Sequence, residues 1–163
     1  MRRMAIVIAT AGVLLASGSF AAGAKHAAIG AAGKAIPKFA MLSGRAELDA
    51  AGRRGAGDPD GRGSATVIVH RGRALCFGIA VTGIGVPIAA SIHSGRRSTT
   101  GPVVLALAAP RSGHPGAASG CVAGGPRLLA DVAAHPRRYY VDVATRAYPA
   151  GALRGQLFAG ARP

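Results

Sequence analysis

Tryptophan is absent and other aromatics are few: 3 Tyr and 4 Phe in 163 residues. A core must therefore be assembled from small and branched aliphatic side chains. The basic residues have no aromatic interleaving on which bases could stack, which argues against specific nucleic-acid recognition. Acid is scarce as well, with 6 Asp and Glu against 20 Lys and Arg, which leaves little for carboxylate-pair catalysis. No HExxH, Walker or GxGxxG element occurs in its required context. The Gly-x-Ser-x-Gly elbow of a serine hydrolase is missing, and Ala118-Ser119-Gly120-Cys121 reads only as a glycine-rich turn. Cysteine occurs twice, at Cys76 and Cys121; the spacing excludes a CxxC redox pair and the ligand count a zinc site. The apolar run near the N-terminus falls short of the ~20 residues a bilayer needs.

What is abundant is turn chemistry: 25 Gly and 10 Pro, which breaks the chain into short segments and favours an all-β fold. Met1-Arg2-Arg3 is a basic start, Met4 to Ala16 is apolar, and Ala22-Gly23-Ala24 fits a small-residue cleavage pattern, so residues 1–24 read as a secretory signal peptide. An uncleaved anchor is the alternative; after cleavage no membrane span is expected. Residues 25–38 read as a flexible Ala/Gly linker, with a helix over His26 to Ile36 opposed by Gly30 and Gly33. A β domain over 39–159 and a tail over 160–163 complete the chain. The formal charge of +14 has a functional reading, a polyanion-binding surface, and a bland one, compositional bias on a solvated surface. The basic residues are scattered, with doublets at Arg53-Arg54, Arg96-Arg97 and Arg137-Arg138.

Within the domain, Lys38 to Leu48 reads as a first strand. Glu47 lies at its end and is a candidate ion-pair partner for Arg154. Asp58-Pro59-Asp60-Gly61 is a turn, since the remaining oxygen ligands of a calcium loop are missing. Ser64 to His70 and Ala74 to Thr82 alternate in polarity around Arg71-Gly72-Arg73 and predict a hairpin. Leu75, Phe77, Ile79 and Val81 share its inner face. Ile88 to His93 is a further strand. Pro102 to Leu107, apolar on both faces, is expected to be central. Ala108 to Gly120 reads as loop and Arg127 to His135 as a short helix started by Pro126. The last hairpin, Tyr139 to Phe158, is expected to turn at Pro149-Ala150-Gly151. That register sets Val143 opposite Leu157 and, unfavourably, Arg146 opposite Arg154. Two cysteines in an exported chain predict a disulfide, Cys76–Cys121, between sheets or from sheet to loop.

Two stretches carry a family resemblance. Ala89-Ala90-Ser91-Ile92-His93-Ser94-Gly95 with Gly101-Pro102-Val103-Val104 is the first. The second is the tyrosine strand, its Pro-Gly turn and Arg154-Gly155-Gln156-Leu157. Together with Leu42-Ser43-Gly44-Arg45-Ala46-Glu47 they resemble the CHRD, or chordin-type, domain. The departures are Ser91 where a His is usual, and Asp142 and Ala144 where the family tends to carry Asn and His. The resemblance implies a single antiparallel β-sandwich, an immunoglobulin-like or dismutase-like two-sheet Greek key, with one short helix before the C-terminal hairpin. It implies a module of extracellular proteins, of the kind found in chordin and in small exported bacterial proteins, and it agrees with a cysteine at each position. Ser91, His93, Asp142, Arg154 and Gln156 become the candidate binding residues. The expected function is a non-enzymatic, exported module, secreted or in the cell envelope, that binds an extracytoplasmic protein or envelope component. No catalytic residue and no cofactor is expected. One alternative is a copper- or zinc-binding, dismutase-like domain using His93 with Asp142, weakened by the missing imidazoles. The other is the polyanion binder.

Overall fold

A computed structural model describes residues 35–70, 73–112 and 116–160. The leader, residues 25–34 of the linker, His26, Arg71-Gly72 of the first hairpin turn, His114 and residues 161–163 lie outside the described residues. Nine strands and one helix follow in order: β1 (Lys38–Ser43), β2 (Arg62–His70), β3 (Ala74–Thr82), β4 (Pro87–Ser94), β5 (Val103–Leu107), β6 (Gly116–Ala123), α1 (Pro126–Ala134), β7 (Tyr139–Thr145), β8 (Leu153–Gln156) and β9 (Phe158–Ala159). All strand pairs are antiparallel, in the order β5-β4-β7-β8-β1-β2-β3-β6, with β9 beside β1. The outer strands β5 and β6 come back into contact. The fold is thus all-β and sandwich-like, and its two layers are halves of one continuous sheet that nearly closes as a barrel.

Alternation decides what faces inward. Phe77, Ile79 and Val81 on β3, Ala65 and Val67 on β2, Ala40 and Leu42 on β1, Ala90 and Ile92 on β4, and Val141 and Val143 on β7 fill one apolar core. Aliphatic side chains dominate it, as the shortage of aromatics requires. Helix α1 starts on Pro126 and adds Leu129 and Val132 to the core. At its end His135 Nδ1 and the Tyr139 hydroxyl both bond the Asp131 carboxylate, at 2.7 and 2.6 Å. That junction ties the helix to β7.

Several expectations are corrected. Strand β1 ends at Ser43, whose side chain accepts the Arg45 N–H and starts a single 3-10 turn, Gly44–Ala46. Strand β5 is an edge strand rather than a central one, with Val103 56% exposed. Gly116 to Gly120, expected as loop, belongs to β6. Its glycine and alanine side chains carry no strand signal, and pairing with β3 builds it. The disulfide is present, but it joins neighbouring strands of one sheet, where Cys76 and Cys121 are direct cross-strand partners.

The C-terminal hairpin has a different register from the expected one: Val143 faces Leu153, Asp142 faces Arg154 and Tyr140 faces Gln156. Its connection is longer, closed by Ala152 N–H to the Val143 carbonyl at 2.8 Å. The physical reason is charge and space. The Arg146–Arg154 clash is replaced by an acid opposite Arg154. Gly155 falls where a Cβ would come within 2.5 Å of the Met41 carbonyl oxygen.

Candidate functional site

Strand β7 is buried along its whole length, on both faces. The inward face meets the apolar core. The outward face lies under two connections, the β1–β2 segment over 44–61 and the β4–β5 segment over 95–102. Strand pairing arranges the polar residues there in two rows. One runs Ser91, Asp142, Arg154, Ser43 across β4, β7, β8 and β1; the other runs His93, Tyr140, Gln156. Period-two alternation turns Ile92 inward and leaves Ser91 and His93 on this outer face.

Nearly every group in these rows ends on backbone. His93 Nδ1 bonds the Gly101 carbonyl at 2.9 Å, and Nε2 meets the Ser91 hydroxyl at 2.9 Å. A carbonyl can only accept, so Nδ1 carries the proton; in the neutral ring Nε2 accepts from Ser91. Tyr140 stacks on the His93 ring at 4.8 Å between centroids, and its hydroxyl is 3.3 Å from the Gly101 nitrogen, which donates to it. Arg154, 2% exposed, sets its guanidinium carbon 3.5 Å from the Tyr140 ring centroid and donates Nη2 to the carbonyls of Arg96 and Thr99 at 2.9 and 2.6 Å. Gln156 Nε2 reaches the carbonyls of Gly95, Arg137 and Tyr139 at 3.0, 3.0 and 2.6 Å. Four side chains on three strands thus hold one short loop by its main chain. The CHRD domain model matches residues 39–157. The chain belongs to the CHRD domain family. No curated protein and no solved structure matches it.

In this CHRD domain the signature residues that the sequence singled out come together on one face. Their contacts are those of a clamp. Both His93 nitrogens are occupied. The Ser91–His93 contact lacks the orienting acid of a hydrolytic triad, because Nδ1 faces a carbonyl. Among the described residues no three His, Cys, Asp or Glu side chains gather into a metal-binding group. Ala144 lies beside Ala89 on the outer face, where the family's further His would stand.

Glu47 and Arg154 are both buried here, but no direct ion pair joins them. Glu47 Oε1 accepts the N–H of Leu48 at 3.0 Å, and its Oε2 has no donor from an N–H or hydroxyl. The group beside Oε2 is the Asp142 carboxyl; both oxygens crowd Gly151, where a Cβ would meet them at 2.6 and 2.7 Å. Two carboxyls so placed cannot both ionise. Burial first, then the hydrogen bond to Glu47 and its charge, push Asp142 far above the usual carboxylate range, while Arg154 opposes the shift. The surroundings thus favour the protonated form of Asp142 beside Glu47. Gly151, at φ 143°, permits the approach both by its backbone and by its missing side chain.

Sequence reasoning missed this acid pair and the part played by Tyr140. The signal for Tyr140 was its position on the outward, polar face of a strand, two residues before Asp142. No side-chain pattern marks carbonyl acceptors such as those of Gly95, Thr99 and Gly101.

Proposed function

We propose that this chain is an exported, non-enzymatic CHRD module that binds an extracytoplasmic protein or a component of the cell envelope. The observation that carries the reading is the clamp: His93, Arg154 and Gln156, with Tyr140, hold the 95–102 loop by its main chain, and that loop is presented at the surface. The Cys76–Cys121 disulfide and the absence, among the described residues, of any helix long and apolar enough to cross a membrane are compatible with a place outside the cytoplasm.

The test is capture from envelope extract by the immobilised, oxidised chain. A saturable partner, displaced by excess free domain and not retained by the reduced, unfolded chain, supports the proposal. The absence of any competable partner counts against it. Stoichiometric copper or zinc in the purified protein, lost in His93→Ala, would replace it with the metal-binding reading.

A further inference from the structure

We propose that a groove between the 95–102 loop and the C-terminal strands takes an acidic segment of a partner protein, with apolar side chains among its carboxylates. This rests on the binding-module reading and names the chemistry of its partner. The groove encloses about 630 Å³ and is bordered by Arg96, Arg97 and Arg137, with Met41, Leu157 and Phe158 among its apolar walls.

Charge points to an acidic ligand. All six acids of the chain lie within the described residues. Asp49 pairs with Arg53, and Asp131 with His135 and Arg138. Glu47 and Asp142 are buried against each other. Asp58 caps its own turn by accepting the Asp60 N–H. None of the six is within ion-pair distance of Arg96, Arg97 or Arg137, so among the described residues three cations line one hollow without a side-chain counter-charge. Guanidinium groups in such a place bind carboxylates in a forked, bidentate way. Arg154 also borders the groove, and its Nη1 has no hydrogen-bond partner.

The walls point to a peptide. Met41 is 70% exposed and Phe158 37% exposed, and of the large apolar side chains left open to solvent these two border the groove. A thioether and a phenyl ring flanked by arginines suit a ligand that brings both carboxylates and apolar groups. A sulfated or phosphodiester polymer would satisfy the arginines and leave these walls uncovered. The volume is that of a site burying a few side chains.

Fluorescence anisotropy on the full, oxidised chain tests this with a labelled ten-residue peptide alternating Glu with Leu and Phe. The controls are a Glu/Gly/Ser peptide of equal charge and a heparin fragment. The Glu/Leu/Phe peptide should bind, about tenfold more weakly to R96E/R97E and several-fold more weakly to Met41→Ser. Arg146→Glu, an exposed change outside the groove, should leave binding unchanged. Equal losses in R96E/R97E and Arg146→Glu would show diffuse attraction and overturn the proposal. So would binding of heparin or the Glu/Gly/Ser peptide as tightly, with no effect of Met41→Ser. If an envelope partner is captured competably but indifferently to R96E/R97E, the module reading stands and the groove inference falls.

Discussion

Asp142→Asn should stabilise this protein at neutral and alkaline pH, and the gain should vanish in acid. The structure puts the Asp142 carboxyl against Glu47, where burial favours its protonated form, and Asn is the neutral residue closest to that form in shape. At pH 3 the carboxyl holds its proton in both the folded and unfolded chain, so it imposes no pH-dependent cost. As pH rises past the ordinary value of 3.8, the unfolded chain gives up that proton, whereas the folded chain keeps it until about 9. Through that window the unfolded state binds fewer protons, and stability falls with rising pH at up to about 1.4 kcal/mol per unit. The whole interval from 3.8 to about 9 would correspond to about 7 kcal/mol, comparable with the net stability of an entire domain. Local opening that lets water reach the carboxylate limits the loss, so we expect Asp142→Asn to gain about 3 kcal/mol at pH 8 and little at pH 4. Urea unfolding of both proteins at pH 4, 6 and 8 measures it. Parallel curves, or a wild-type midpoint that climbs from pH 5 to 8 while the variant's does not, would refute the shared-proton argument.

Other outcomes follow from the same contacts. Gly151→Ala should destabilise the fold by about 2–4 kcal/mol, since its Cβ would collide with both carboxyls at a backbone angle that favours glycine; thermal unfolding reads the loss. Reducing Cys76–Cys121 should lower stability by about 3–4 kcal/mol on the chain-entropy account of a 45-residue separation, seen as a shift of the urea midpoint with reductant. Tyr140→Phe should release the Gly101 N–H from its bond and speed its hydrogen exchange, with a cost of about 1 kcal/mol in stability. Burial and the Asp131 bond hold the Tyr139 phenol near 12. Asp131→Asn should bring it down in an ultraviolet titration, and no change would remove Asp131 as a cause.

The strands with clean alternation were legible because each presents one face to the core. Ala74 to Thr82 needed nothing beyond its own side chains, and the helix announced itself through Pro126 and the Leu129/Val132 spacing. Strand β6 was illegible because glycine and alanine bury too little to show a period; its partner defines it. Strand β5 misled because apolar residues on both faces occur at this sheet edge as well as at a centre. The hairpin register was not legible because Pro149-Ala150-Gly151 is a complete turn signal in itself, whereas the Asp142–Arg154 pairing and the tight fit at Gly155 exist only in the folded sheet. Of the candidate site, alternation alone put Ser91 and His93 on one face, whereas the approach of Glu47 to Asp142 depends on a loop folding back across the sheet.

The cystine also decides something that packing alone leaves open. Slide β6 by two residues along β3, and one tiny side chain replaces another with almost no change in buried surface; a ribbon this bland has several near-equal alignments. A covalent tie between Cys76 and Cys121 permits one of them. Oxidation therefore acts as a ratchet on strand alignment, and a reduced chain should sample slipped forms in which β6 is paired but out of step.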